Sequence, residues 1–435
     1  MKKRALYTIT FLIMSINIYA EEHTAALSRQ VTDTNATRSP VKVKTVRSVL
    51  GKNNPIEHQI GQLRAGYITF KENGSDQTSA YALGGHYHID SKRYKGLKAG
   101  LSAYTVLNAG IRQNPLHVNQ DFFDGEGHSF ITLSEAYLDG KWGDTEIKLG
   151  RQILDTPHAD SDDIRMMPNY FTAYTVTNSD VPDLTLSAGW ITKMAGWENG
   201  VDASRFVKLS KTLESPENTK GVFYASAAYE GIKDLSLSVW YYRYDDIADV
   251  LYAEAGYETK ISDTWRATFG LQYDASRQTG AALLGVQDAT TFGISTEFAN
   301  EKAGIHLLAA YNRDSGDTGA FGLSLGGGPL FTSMEDQTLD VIGSAGEAWM
   351  IGAGYHFEAI GIDGLTAGLA YGHFQAKEAA LYTSSETDAV LEYSMNEKFT
   401  LTLAYASVRF DAGSDENGDP LADYEQIRMI ANYHF

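Results

Sequence analysis

The chain is 435 residues long, with 11% aromatic residues, 26 Tyr and 41 Gly against 9 Pro, and no Cys. Its formal charge of -19 argues against a nucleic-acid partner, because neutralising phosphates needs a surplus of Lys and Arg. The missing thiols exclude thiolate zinc sites, disulfide scaffolds and thiol catalysis together, and a single apolar run at the start excludes a polytopic helical membrane protein.

Met1-Lys-Lys-Arg4 precedes that run, Ala5 to Ala20, which closes on a small residue before Glu21 and Glu22. A basic start, an apolar core of about 15 residues and a small junction residue predict a secretory signal over residues 1–20; a membrane anchor would need a longer run. Residues 21–60 are polar and read as a solvated extension. Val41 and Val43 leave open brief pairing or folding into a pore.

Beyond residue 60 the chain alternates with period two. Leu97, Ala99, Leu101 and Ala103 oppose Lys98 and Ser102. Trp265, Ala267, Phe269, Leu271 and Tyr273 oppose Arg266, Thr268, Gln272 and Asp274. Trp349, Ile351, Ala353, Tyr355 and Phe357 oppose His356 and Glu358, and Phe399, Leu401, Leu403 and Tyr405 oppose Thr400 and Thr402. A strand sorts such sets onto two faces; a helix, turning about 100° per residue, does not. A soluble sandwich and a membrane barrel both produce the pattern. Segments of about ten residues favour the barrel, as do aromatics near their ends, where lipid-interface girdles belong. Connections also alternate between tight, as at 141–144, 181–183, 231–234 and 395–398, and long, as at 109–128, 152–171, 195–219 and 314–346. Strands are expected to start near residues 62, 78, 96, 130, 144, 172, 184, 221, 235, 250, 264, 290, 303, 348, 364, 385, 399 and 424. Eighteen is an even number, as an antiparallel barrel with both ends on one side requires. The fold class is therefore all-β, a transmembrane antiparallel barrel over residues 61–435. In the last strand Ile427, Met429, Ala431, Tyr433 and the terminal Phe435 share a face. Tyr433 and Phe435 there read as a signal for the outer-membrane barrel assembly machinery.

Ile147-Lys-Leu-Gly-Arg-Gln152, Thr156-Pro157 and Ser161-Asp-Asp-Ile-Arg-Met-Met-Pro-Asn-Tyr-Phe171 together resemble the fifth strand and constriction loop of the OprD family of substrate-selective outer-membrane porins. Leu235 to Val250 and Gly61-Gln-Leu-Arg-Ala-Gly-Tyr67 are similar to that family too. The resemblance implies an eighteen-stranded barrel whose third long loop folds inward, passing small water-soluble solutes by diffusion. Arg165 and Pro168 match the family's loop pattern. The family's ladder of arginines on late strands has no counterpart in Phe399-Thr-Leu-Thr-Leu403; only Arg409 and Arg428 stand nearby.

A water-filled constriction selects by diameter and by lining charge. The inward loop brings Asp155, Asp160, Asp162, Asp163 and Arg165, with Pro168 and Tyr170 shaping it. Strand phase points Arg64, Lys98, Glu146, Lys148, Glu254, Glu258, Arg266, Asp274, Glu297, His306, Glu358, Asp388, Glu392 and Arg428 into the lumen, five basic against eight acidic apart from His306. This excess predicts a weak cation preference. No cofactor, metal or enzyme activity is expected. Gly322-Leu-Ser-Leu-Gly326 has nucleophile-elbow spacing but opens a Gly-rich loop, His86, His88 and Asp90 read as ordinary lumenal side chains, and Asp415 to Asp419 lacks the closing Glu of a calcium loop. Two competitors remain: a barrel enzyme using a loop histidine, His117, His128 or His158, and a structural or adhesive barrel plugged by residues 21–60. Expected partners are outer-membrane lipid, lipopolysaccharide, the assembly machinery and small solutes, with a homotrimer as a possible assembly.

Overall fold

A computed structural model describes residues 55–110, 117–125, 127–415 and 417–435. The predicted export signal and nearly all of the segment read as a polar extension lie outside them. The described chain forms one closed antiparallel sheet. Its long strands are β1 (Ile56–Glu72), β2 (Thr78–Ser91), β3 (Leu97–Asn108), β4 (Phe130–Trp142), β5 (Thr145–Gln152) and β6 (Tyr170–Asn178). There follow β7 (Leu184–Ala195), β8 (Val222–Ile232), β9 (Leu235–Tyr244), β10 (Ala248–Lys260), β11 (Arg266–Gln278) and β12 (Asp288–Asn300). The circuit ends with β13 (Ile305–Asp314), β14 (Gly346–His356), β15 (Leu365–Ala376), β16 (Thr383–Asn396), β17 (Phe399–Ala412) and β18 (Tyr424–His434). A further two-residue bridge, Val207–Lys208, pairs with β7 from within a loop. The observed starts follow the predicted ones closely. The largest shift is at β1, which begins at Ile56, inside the segment read as extension.

The barrel closes between β1 and β18, from Gln62↔His434 to Glu72↔Tyr424. Phe435 continues the seam by exchanging two 2.9 Å backbone hydrogen bonds with Gly61. Its ring lies where a Cβ on Gly61 would be 2.2 Å away, so a side chain there would displace the ring. Tyr433 and Phe435 both face outward, 42% and 40% exposed.

Alternation is inverted relative to a soluble protein. On β11 Phe269 and Leu271 are exposed while Gln272 and Asp274 are buried; on β14 Trp349 and Ile351 are exposed while Ala348 and Met350 are buried. An apolar outer belt is what a lipid-embedded barrel presents, because a closed sheet satisfies every backbone group internally and leaves side chains to meet the acyl chains. Aromatic rings rim this belt, including Trp190 stacked on Phe223 at 5.3 Å and Trp349 beside Tyr371 at 5.6 Å.

The barrel has a short-turn end, where β1 begins and β18 finishes, and a long-loop end. Three of the loops at the long-loop end fold back into the lumen and dock on the inner wall through apolar clusters. Phe122 and Phe123 of the 109–129 loop, with Met166 and Met167 of the 153–169 loop, pack on Ile68, Ala80, Ala82, Tyr104 and Val106. Leu154, Phe321 and Leu325 pack on Tyr242, Tyr244, Val250 and Tyr252. Leu330, Phe331, Met334 and Leu339 of the 315–345 loop pack on Met350, Phe374 and Val390.

Candidate pore constriction

The 153–169 loop leaves β5, crosses the lumen and returns at β6. Its backbone is pinned from within: Ser161 N–H donates to Asp155 at 3.3 Å, Asp162 N–H to Asp160 at 2.7 Å, and Asn169 N–H to the Ser161 carbonyl at 2.6 Å. Asp162 sits at φ 43°, the left-handed region that Asp tolerates better than most residues. Asp163 is exposed to the lumen, Asp155 and Asp160 are half-buried, and Asp162 is buried. Pro168 and Tyr170 are buried; Tyr170, the first residue of β6, packs edge-on to Tyr104 at 6.4 Å. They anchor the loop and do not face solute.

The arginines of this region are all engaged. Arg64 on β1 makes a two-pronged pair with Asp163 at 2.5 and 2.9 Å and also donates to the Arg165 carbonyl at 2.7 Å. Arg165 itself is fully buried, pairs with Glu335 at 3.2 Å and lies 5.0 Å from the Trp197 ring centroid. Arg428 on β18 binds both oxygens of the same Glu335. One carboxylate from the 315–345 loop thus joins the other inward loop to the barrel wall. Glu335, 170 positions from Arg165, is a residue that sequence reasoning did not identify.

That second loop is the larger surprise. Segment 329–337 runs along the inner wall as an extra edge, its backbone met by wall side chains. Gln272 donates to the Pro329 carbonyl at 2.6 Å and accepts from Phe331 N–H at 3.2 Å, and Asn312 accepts from Thr332 N–H at 3.0 Å. Asp388 accepts from Glu335 N–H at 3.2 Å, and Glu386 from Asp336 and Gln337 N–H at 2.9 and 2.7 Å. Leu330, Phe331 and Met334 were the available signal, since such residues in a Gly-rich external loop would otherwise be exposed. The 153–169 and 315–345 loops are also hydrogen-bonded to each other, Asp160 N–H to the Leu325 carbonyl at 3.1 Å and Leu325 N–H to the His158 carbonyl at 3.0 Å. A Cβ on Gly326 would lie 2.5 Å from the Asp160 carbonyl, so the approach depends on glycine.

His158 lies at this junction. Its Nδ1 is 2.8 Å from Ser324 Oγ and its Nε2 is 3.2 Å from Asp274 on β11. Ser324 is the serine of the nucleophile-elbow spacing, so three residue types of a hydrolytic triad meet here. The imidazole, however, is fully buried among Tyr242, Tyr252 and Phe321. The Leu325 N–H, next after the serine and the usual oxyanion donor, is spent on His158. The trio ties two loops to the wall.

Most remaining lining residues sit in ion pairs and hydrogen bonds toward the short-turn end. Lys98 lies 3.6 Å from Asp90 and 3.4 Å from Asp139, and Lys148 lies over the Tyr137 ring at 4.2 Å. Glu258 pairs with Arg266 at 2.8 Å, which also reaches Glu301 at 3.3 Å; Glu297 meets His306 at 3.5 Å. Glu254 accepts from the Tyr252 hydroxyl. Glu146 and Glu392 are half-buried. Glu358 departs from the inward set: β14 ends at His356, and Glu358 is exposed in the turn Phe357–Ile360. His88 is held between Asp90 at 3.2 Å and Glu135 at 3.0 Å. Among the described residues, no three His, Cys, Asp or Glu side chains are grouped to hold a metal ion.

Charge on the 153–169 loop is therefore uneven. Asp155 and Asp160 form no ion pair among the described residues, although Lys148 acts on Asp155 at longer range. Burial pushes both carboxyls above the usual Asp range; at Asp160 repulsion from Asp155 and Asp162 adds to it.

A sequence profile described as outer membrane porin, OprD family, matches residues 122–435. A search of curated protein sequences returns no match. Among solved structures, Pseudomonas aeruginosa OccK9 (OpdG) superposes with a TM-score of 0.74 at 21% identity, over 87% of this chain and 97% of that one. Pseudomonas aeruginosa OpdK with vanillate gives 0.69 at 19%, over 87% and 99%, and Acinetobacter baumannii OccAB3 gives 0.74 at 14%, over 87% and 98%. The inverted barrel, the inward loop after β5 and the profile match agree: the chain belongs to the OprD family of outer membrane porins.

Proposed function

We propose that this outer-membrane channel for small solutes favours small cationic and zwitterionic molecules over anions, with Asp155, Asp160 and Asp163 as the groups a passing solute meets. The supporting observation is that Arg64, Arg165 and Arg428 are each tied to a carboxylate, whereas Asp155 and Asp160 have no counter-charge of their own. A guanidinium already engaged by a carboxylate offers an anion little, while an unpaired carboxylate in a narrow lumen lowers the barrier for a cation. Export depends in this reading on cleavage after Ala20, and insertion on the outward pair Tyr433 and Phe435 in the closing strand.

The test is liposome swelling with solutes of equal length and opposite charge, such as 1,4-diaminobutane and succinate. Faster uptake of the diamine is expected. Faster uptake of succinate, or equal rates at low ionic strength, contradicts the proposal.

A further inference from the structure

Outward-facing charge is arranged unequally between the two edges of the lipid belt. At the long-loop, extracellular ends of β9 and β13 the outward side chains read Tyr241-x-Arg243 and Tyr311-x-Arg313. An acid stands directly opposite each arginine on the next strand, Asp249 across from Arg243 and Glu347 across from Arg313. In both pairs that acid is engaged by the tyrosine. The Tyr311 hydroxyl donates to Glu347 at 2.7 Å, and Tyr241 makes the corresponding hydrogen-bond contact with Asp249. Arg243 and Arg313 are exposed, and among the described residues neither forms an ion pair. At the periplasmic ends of the same two strand pairs, the outward partners are Leu235↔Tyr257 and Ile305↔Tyr355, with no charge at all.

The same four-residue arrangement thus occurs twice, at one edge of the belt only. A ladder built merely to join strands would serve equally at either edge. A one-sided pattern fits a bilayer whose two leaflets differ in headgroup charge. We propose that the two Tyr-x-Arg sites seat phosphate groups of the phosphorylated glycolipid, lipopolysaccharide, that fills the outer leaflet. The guanidinium fork matches phosphate oxygens in pairs, tyrosine rings suit the interface where acyl chains give way to headgroups, and the hydroxyl occupies the neighbouring acid, that of Tyr311 also meeting Arg313. The proposal rests on the porin assignment for which edge is extracellular.

The test titrates purified full-length mature protein in detergent with bis-phosphorylated lipid A, the same lipid with its phosphates removed, and phosphatidylglycerol, with binding read by native mass spectrometry. Wild type should bind bis-phosphorylated lipid A well above the other two. The double variant Arg243→Gln, Arg313→Gln should lose this preference by about tenfold per arginine, the scale of one charge-assisted hydrogen bond. Equal binding of the dephosphorylated lipid, equal binding of phosphatidylglycerol, or a preference that survives the double substitution overturns the proposal. Single-channel conductance on the same preparations separates the two levels: intact conductance without a lipid preference removes this site and leaves the porin standing.

Discussion

In the outer half of the lumen, the inward side chains of β3 and β9 are Tyr104, Val106, Trp240, Tyr242 and Tyr244, all buried under folded loops. Nearer the periplasm, the same two strands turn Lys98, Ser102, Ser236 and Ser238 inward. The β17 strand repeats the division, with Thr400 and Thr402 below Ala404, Ala406 and Val408. One stretch of wall is a docking platform for loops and the other is a lining for water. Where they meet, the loops carry in Asp155, Asp160 and Asp163, the groups we propose as the constriction. The proposed selectivity accordingly rests more on the inward loops than on the strands.

The largest effects should come from breaking the platform. Phe331→Ala empties a fully buried ring site and should cost about 3–5 kcal/mol of loop docking. Glu335→Ala leaves Arg165 and Arg428 buried without a carboxylate, and should cost about 3 kcal/mol or more. Both should expose residues 315–345 to protease and raise conductance noise, while the barrel keeps its heat-modifiable migration on SDS gels. An uncut loop would mean that the platform is not what holds it. Leu271→Arg tests the opposite face. Placing a charge on the exposed lipid side of β11 should cost about 2–4 kcal/mol if the residue lies near mid-membrane, seen as reduced folded yield in lipid vesicles. Ser324→Ala should be milder, about 1 kcal/mol for one lost hydrogen bond to His158. It should alter gating noise, and no esterase activity should be present to lose; activity that disappears with this serine would instead revive the barrel enzyme.

The strands were legible because lipid outside and water inside impose opposite polarities on alternate residues, and β11 and β17 carry that signature plainly. It fades at Trp240-Tyr-Tyr-Arg-Tyr244, where docked loops make the inner face aromatic as well. The 153–169 loop was readable through its resemblance to a known constriction, and of its acidic residues Asp163 is exposed, Asp155 and Asp160 are half-buried and Asp162 is buried. The 315–345 loop carried only the apolar signal of Leu330, Phe331 and Met334, because the rest of its docking joins main chain to wall side chains, as with Gln272, Asn312 and Glu386. Such pairings leave no periodic trace in sequence. Glu335 was invisible for the same reason: nothing near it along the chain marks it as the shared partner of Arg165 and Arg428, 170 and 93 positions away. Glu358 was misplaced by continuing the strand period past a turn.

Acidification sharpens the contrast between eyelet and lining. Asp155 and Asp160 titrate above the ordinary Asp value of 3.8, so their negative charge exists only above those raised values. Cation preference should therefore grow as pH rises through them, and fade on acidification before a free carboxylate would protonate.

The most direct measurement is the reversal potential of single channels under a salt gradient, for wild type and for Asp155→Asn with Asp160→Asn, at several pH values. Wild type should select cations. The double variant should lose a factor of about two to five in the permeability ratio per charge, on the order of 1 kcal/mol at the high effective permittivity of a wet pore, together with the pH dependence. Anion preference in the wild type, or a selectivity indifferent to both substitutions, would contradict an eyelet charged by its inward loops.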